Sequence, residues 1–377
     1  LPDNQRAMRA HLAQMFQAGI DACHPRKVLP AHLPDVERPL VLAVGKAAGE
    51  MAKVAETHYP DATGIAVVPH GVEAVLERIA LLHAGHPVPD AASVAAAERL
   101  LAARGGFVLV LLSGGASALA CLPGQGLTLA GKQALIAALL RSGAPIQKIN
   151  CVRRHASRIK GGRLRANLTL AISDVIGDAP ENIGSGPTVA DPTTVADARG
   201  ILDHYGLDAP LAETAKRVDG EFRIVASGKD ALDAAAREAR RLGYAPVLLG
   251  EWTGEARHIG RRHAEAALAS PPGSALISGG ELTVTVRERG RGGPNIEYAL
   301  AAGLALAGRP GIIGLAADTD GLDGTSGAAG AWFGGGAPPA GAAEALARND
   351  GAAVAELFVT GPTGTNVNDL RIILVGS

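Results

Sequence analysis

The sequence predicts an α/β protein of two domains whose site is built from glycine-rich loops at the ends of buried strands. Three observations predict it: short runs of Val, Leu and Ile, small residues that close each run, and a helical stretch after most of them. Strands that are apolar throughout are buried on both faces, as in mostly parallel sheets covered by helices. Ligands of such sheets bind outside the carboxyl ends of the strands. At 377 residues the chain is long for one core, so two domains are expected, 1–220 and 221–377, divided where a charged helix tail precedes the strand at Phe222.

Taken in order, Met8, Leu12, Met15, Phe16 and Ile20 recur at helical spacing and open the chain with an amphipathic helix. Leu40 to Val44 then runs into Gly45-Lys46-Ala47-Ala48-Gly49, and Phe107 to Leu112 into Ser113-Gly114-Gly115-Ala116-Ser117. Leu168 to Ile172 ends at Ser173-Asp174, and Phe222 to Ala226 at Ser227-Gly228-Lys229-Asp230. Ala275 to Ile277 meets Ser278-Gly279-Gly280-Glu281, Ile312 to Ala316 meets Asp318-Thr319-Asp320-Gly321, and Leu357 to Val359 meets Thr360-Gly361-Pro362-Thr363-Gly364. Leu282 to Val286 alternates apolar residues with threonine, as a half-buried antiparallel strand does, so the second sheet is expected to be mixed. Gly334 to Gly341 reads as a surface loop.

Composition removes several function classes. With 36 basic and 37 acidic side chains the net charge is −1, and no basic tail or acidic block stands out. Nucleic acid and anionic membrane are therefore not expected as partners. Aromatics are only 3%, too few for base-stacking platforms. Cys23, Cys121 and Cys151 are far apart and odd in number, which suits reduced thiols rather than a disulfide framework or zinc site. No signal peptide is visible and no apolar run approaches the roughly 20 residues that span a bilayer, so a cytoplasmic location is expected.

The loops carry different side chains. Ser113, Gly114, Gly115 and Ser117 would let a ligand approach the backbone, with a following helix turning N–H groups towards an anion. Lys46 could reach a phosphoryl group or a carboxylate. On a helix Arg153, Ser157 and Lys160 would share a face, and this basic stretch, which also holds Arg154, suits phosphate or a substrate carboxylate. Glu281, the Arg291-Gly292-Gly293-Pro294-Asn295 loop and Asp318 to Asp323 belong together if the second sheet is compact, and their carboxylates suit Mg²⁺. Thr363, Gly364, Thr365, Asn366 and Asn368 offer hydroxyls and amides for recognition. Gly126 to Lys132 imitates a phosphate-binding P-loop, but it lacks the Ser or Thr after the lysine and follows no strand, so it is set aside. A G-x-G-x-x-G dinucleotide fingerprint is also missing.

These motifs, with Gly85-His86-Pro87-Val88-Pro89-Asp90 and Ser185-Gly186-Pro187-Thr188, occur in an order that resembles bacterial glycerate 2-kinases of the MOFRL type over nearly the whole chain. The resemblance implies a Rossmann-like three-layer N-terminal domain, a smaller mixed-sheet C-terminal MOFRL-type domain, and an active site in the cleft between them. It implies phosphorylation of D-glycerate to 2-phosphoglycerate with ATP and Mg²⁺, by a monomer or homodimer. Under it, Lys46, Arg154, Arg291 and Asp174 are the catalytic candidates. Ser113, Gly114, Gly115, Ser117, Gly292, Gly293, Asn295, Thr363, Gly364, Thr365, Asn366 and Asn368 would hold the cofactor, and Asp320 and Glu281 the metal. Relatives often carry the label hydroxypyruvate reductase, which makes an NAD(P)H-dependent reductase the competing expectation. A non-catalytic nucleotide or sugar-acid sensor is a third. Two positions depart from the family pattern: Pro294 replaces a basic residue and Ile296 a glutamine.

Overall fold

The computed structural model describes residues 3–376. The chain divides into two compact units, Pro25–Val225 and the described residues on either side of it. The division at 225 and 226 lies a few residues past the expected one, because the strand that begins at Glu221 completes the first sheet. The larger difference is at the start. Helix α1 (Asp3–Cys23) belongs with the C-terminal part of the chain. Its face of Met8, Leu12, Met15, Phe16 and Ile20 is buried, as its periodicity requires, against Leu232, Ala235 and Ala236 and the strand residues Leu370 and Ile372. Periodicity specifies a buried face but not what buries it.

In the Pro25–Val225 unit, the short α2 (Pro25–Val28) precedes β1 (Leu40–Val44), α3 (Ala48–His58), β2 (Thr63–Pro69) and β3 (Ile79–Ala84). There follow α4 (Ala91–Ala102), β4 (Val108–Leu112), the one-turn α5 (Ala116–Leu119), α6 (Leu129–Arg141) and α7 (Ile146–His155). Last come β5 (Leu168–Ile172), α8 (Val195–His204) and β6 (Glu221–Ala226). The strands lie in the order β3-β2-β1-β4-β5-β6, with β3, β2, β1, β4 and β5 parallel to their neighbours. Every residue of β1, β4 and β5 is buried, which accounts for their unbroken apolar sequences. Helices α6, α7 and α8 form a separate apolar cluster around Leu135, Leu139, Ile149, Val152 and Leu202.

In the other unit, α9 (Gly228–Arg241), β7 (Ala245–Glu251), the two-residue β8 (Gly254–Glu255), α10 (Ala256–Leu268), β9 (Ser274–Gly280) and β10 (Leu282–Thr283) follow. The chain ends with α11 (Pro294–Leu306), β11 (Ile312–Asp318), β12 (Gly330–Gly334), α12 (Ala342–Arg348), β13 (Glu356–Phe358) and β14 (Asp369–Val375). The sheet order is β13-β12-β11-β14-β9-β7, and it is mixed as expected: only β7 and β9 pair in parallel. The antiparallel strand expected over Leu282 to Val286 is instead the two-residue β10, paired in parallel with β8 outside the main sheet. Of its apolar residues Leu282 is buried and Val286 is largely exposed, so the alternation does not mark one buried face.

Candidate active site

In the first sheet the strand order reverses between β1 and β4, the switch point at which open α/β sheets form their ligand crevice. The two loops that leave this point are stitched together. Lys46 N–H donates to the Gly114 carbonyl at 2.8 Å, and Ala47 N–H to Ser113 Oγ at 3.0 Å. Gly45 has φ +139°, and a Cβ there would lie 2.1 Å from Ser113 Oγ, so only glycine permits this approach. Gly115, at φ +84°, would likewise place a Cβ 2.9 Å from the His86 ring and 3.3 Å from Lys46 Cγ. Half-buried Lys46 thus stands beside the Ser113–Ser117 turn.

The backbone cradle expected at that turn is only partly present. Ser113 is fully buried, its hydroxyl engaged with the Ala47 N–H, and α5 is a single turn of four residues with little dipole to offer. Gly115 and Ser117 do line a cavity of about 480 Å³. Lys132, Arg153 and Lys160 line it too. Lys160 Nζ donates to the carbonyls of Ser117 (2.7 Å) and Ala120 (3.2 Å), and Lys132 Nζ to that of Ala156 (2.9 Å). Burial pushes Lys160 down to about 7 and Lys132 to about 8. Ser117 Oγ pairs with Ser185 Oγ at 2.9 Å.

Two expectations about the basic stretch need correction. Helix α7 ends at His155, so Arg153, Ser157 and Lys160 share no helical face; Ser157 turns back to bond the Leu122 carbonyl. Arg153 and Lys160 meet at the cavity through the turn that follows. Arg154 is not placed for substrate: it is buried, its Nε lies 2.9 Å from Asp191 Oδ2, and its other nitrogens face Glu181, Asn182 and Thr193. Asp191 stands 37 positions downstream, and nothing local marks the pairing. Lys132, at the end of the P-loop imitation, is buried and its side chain reaches the cavity. Asp174 is half-buried just past β5, outside the cavity lining.

In the other unit the expected loops do gather at one sheet edge. Asp369 of β14 pairs in register with Asp318 of β11 on one side and Gly280 of β9 on the other. Beneath them lies a buried polar network. Asn295 Nδ2 donates to Asp369 Oδ1 at 2.6 Å, and the N–H groups of Asn295 and Ile296 donate to the two oxygens of Asp323 at 3.0 Å each. Arg371 pairs with Asp369 and donates to the carbonyls of Gly279 (2.8 Å) and Gly280 (3.0 Å). Burial, together with the neighbouring Asp369, pushes Asp323 up to about 7 against its N–H donors. A Cβ on Gly293 would lie 2.4 Å from the Asp323 carboxyl, whereas one on Gly292 would meet nothing closer than 3.7 Å.

The candidates of this unit therefore separate into scaffold and surface. Asn295 is buried inside the network. In the loop after Gly361, Thr365 donates to the Cys23 carbonyl at 2.8 Å and Asn366 and Asn368 are buried, while Thr363 and Gly364 are half-buried. Arg291 is exposed, with Nη2 on the Ser326 carbonyl. Glu281 is exposed, and half-buried Asp320 accepts the Leu322 N–H at 2.8 Å. Asp318 and Gly280 stand two strand spacings apart, about 10 Å. No cluster of three metal-ligating side chains occurs among the described residues. Mg²⁺ does not need one, since it takes one or two carboxylates and completes its shell with water and phosphate oxygens. Pro294 sits in the first turn of α11, which proline suits, and Ile296 is buried in the core beside Gly351.

Known proteins resemble this chain along its length. The domain of unknown function DUF4147 matches residues 11–219 and the MOFRL family matches residues 274–369. An Agrobacterium vitis protein bearing the hydroxypyruvate reductase label is 42% identical over 99% of this chain and 96% of its own. The glycerate 2-kinase of Pyrococcus horikoshii is 38% identical over 89% of this chain and 87% of its own. The crystal structure of a Thermotoga maritima glycerate kinase superposes with a TM-score of 0.85 at 34% identity, covering 98% of this chain and all of that one.

Proposed function

Since this chain belongs to the MOFRL-containing glycerate kinase family, we propose that it phosphorylates D-glycerate at the 2-hydroxyl, with ATP as donor and Mg²⁺ as its metal. The observation that carries the reading is Lys46 held beside the Ser113–Ser117 turn at the switch point, next to a cavity rich in cations. Phosphoryl transfer asks chiefly for positioning and for neutralising charge on the transferred group. Lys46 supplies a charge on a side chain whose backbone the loop contacts fix in place. Ser117 contributes a hydroxyl at the cavity, and Arg291 a guanidinium at the surface of its own unit. Glu281 or Asp320 would hold Mg²⁺, which offsets phosphate charge when bound. D-Glycerate is the small-molecule partner, and the cytoplasm is the proposed location; no described helix is long and apolar enough to cross a membrane.

The reductase reading has in its favour the label of the Agrobacterium vitis relative and the strand order β3-β2-β1-β4-β5-β6 shared with dinucleotide-binding sheets. Against it, the turn after β1 reads Gly45-Lys46-Ala47-Ala48-Gly49 rather than a dinucleotide fingerprint. The test incubates the full chain with D-glycerate, γ-labelled ATP and Mg²⁺. Label recovered in 2-phosphoglycerate is the expected result. NADH oxidation with hydroxypyruvate and no consumption of ATP would replace the kinase with the reductase, and nucleotide binding without turnover would leave a sensor.

A further inference from the structure

The cavity beside Ser117 is cationic and apolar at once. Lys132, Arg153 and Lys160 gather there, and no carboxylate stands among its described lining residues. Charges withdrawn from water are costly unless compensated. Here Lys132 and Lys160 are buried and donate to carbonyl oxygens, which satisfy hydrogen bonds without cancelling charge. The charges of Lys132 and Arg153 also act on Lys160, adding to the burial that lowers its proton affinity. An incoming anion would relieve all three. Ile136, Ala137 and Leu140 of α6 supply an apolar wall. The volume, about 480 Å³, lies in the range of small-molecule pockets, roughly 300–1,000 Å³. Glycerate, with its few heavy atoms, would leave most of it open and would have no use for that wall.

We propose that this cavity is the nucleotide pocket, with the phosphate chain on Lys132, Arg153 and Lys160 and the base against Ile136, Ala137 and Leu140. The kinase reading supplies the identity of the ligand. The geometry also gives it a direction: Gly115 lines the cavity and a Cβ on it would lie 3.3 Å from Lys46 Cγ, so the terminal phosphate leaves the pocket on the Lys46 side.

Calorimetric titration of the full chain with ADP, and separately with D-glycerate, tests this alongside steady-state kinetics. Arg153→Gln removes one cation, and Ala137→Trp fills the cavity from a half-buried helix position. Each variant is expected to weaken ADP binding about tenfold and to raise KM for ATP by a similar factor. KM for D-glycerate should stay within about twofold. Wild-type protein without affinity for ADP, or both variants with unchanged affinity, would overturn the pocket. So would a rise in KM for D-glycerate with ADP binding intact, which would make the cavity an acceptor site. Failure of the kinase reading has a separate signature: ADP binding lost in the variants, with no phosphoglycerate formed by wild type, keeps the pocket and removes the reaction.

Discussion

At the edge of the first sheet, Lys132, Arg153 and Lys160 line an open cavity with no carboxylate among its described lining residues. At the gathered edge of the second sheet the aspartates turn inward, onto Asn295, the start of α11 and Arg371. Both edges read as ligand loops in sequence, since each joins an apolar strand to glycine and polar residues. The difference lies in where compensation comes from. The cavity of the first unit leaves charge for something outside the chain to balance. The second answers most of its charge itself, so that many polar residues there shape the loops and few remain to touch a ligand.

The largest expected effect breaks the self-compensated network. Arg371→Met leaves Asp369 and the Gly279 and Gly280 carbonyls without their partner in a buried place. Loss of about 3–5 kcal/mol in urea unfolding is expected. A loss below about 1 kcal/mol would mean that the network does not hold the second site in shape. Lys46→Ala should behave in the opposite way: kcat falls about 10²–10³-fold, while stability stays within about 0.5 kcal/mol of wild type. Unchanged turnover would remove Lys46 from the chemistry.

This contrast also explains what could be read from sequence. The apolar strands and the loop positions were legible, because continuous apolar runs closed by Gly and Ser report burial locally; strand direction was not, since the alternation at Leu282 to Val286 that pointed to a mixed second sheet lies outside that sheet. The buried face of α1 was legible too, but its partner was not, since Met8 and Leu12 ask for apolar surface without naming one. The settings of Arg154 and Lys132 were not legible for a related reason. A cation looks the same in sequence whether it ends on Asp191, on a carbonyl or on a ligand, and only the tertiary fold decides.

Titration should separate the two units by sign. Asp323 is raised from 3.8 to about 7 in the folded protein, so between those values the native state holds a proton that the unfolded chain releases. Stability therefore falls as pH rises through that window, by about 4 kcal/mol for this group as an order of magnitude. Lys160 is lowered from 10.5 to about 7, so above pH 7 the unfolded chain holds the extra proton and stability rises towards pH 10.5. Urea unfolding across pH should show Asp323→Asn flattening the acid limb alone and Lys160→Met the alkaline limb alone. Either variant altering both limbs would couple the two regions and end the simple contrast.

The smallest expected effect asks whether the second unit also offers charge outward. Pro294 occupies the first turn of α11, where it has no helical N–H to forfeit and its fixed φ suits the helix. Pro294→Lys gives up that rigidity and should cost about 0.5 kcal/mol. The Asn295 and Ile296 N–H bonds to Asp323 lie just beyond it and need no change of backbone, so the network should survive. A lysine here would restore the basic residue of the family pattern at a half-buried position beside Gly293. If it meets phosphate, kcat/KM for ATP should rise about threefold to tenfold, the scale of one partly exposed charge contact, with a steeper loss at high salt. If kcat/KM is unmoved at low and high salt alike, this position carries no charge into the reaction, and of its loop only exposed Arg291 is left to do so.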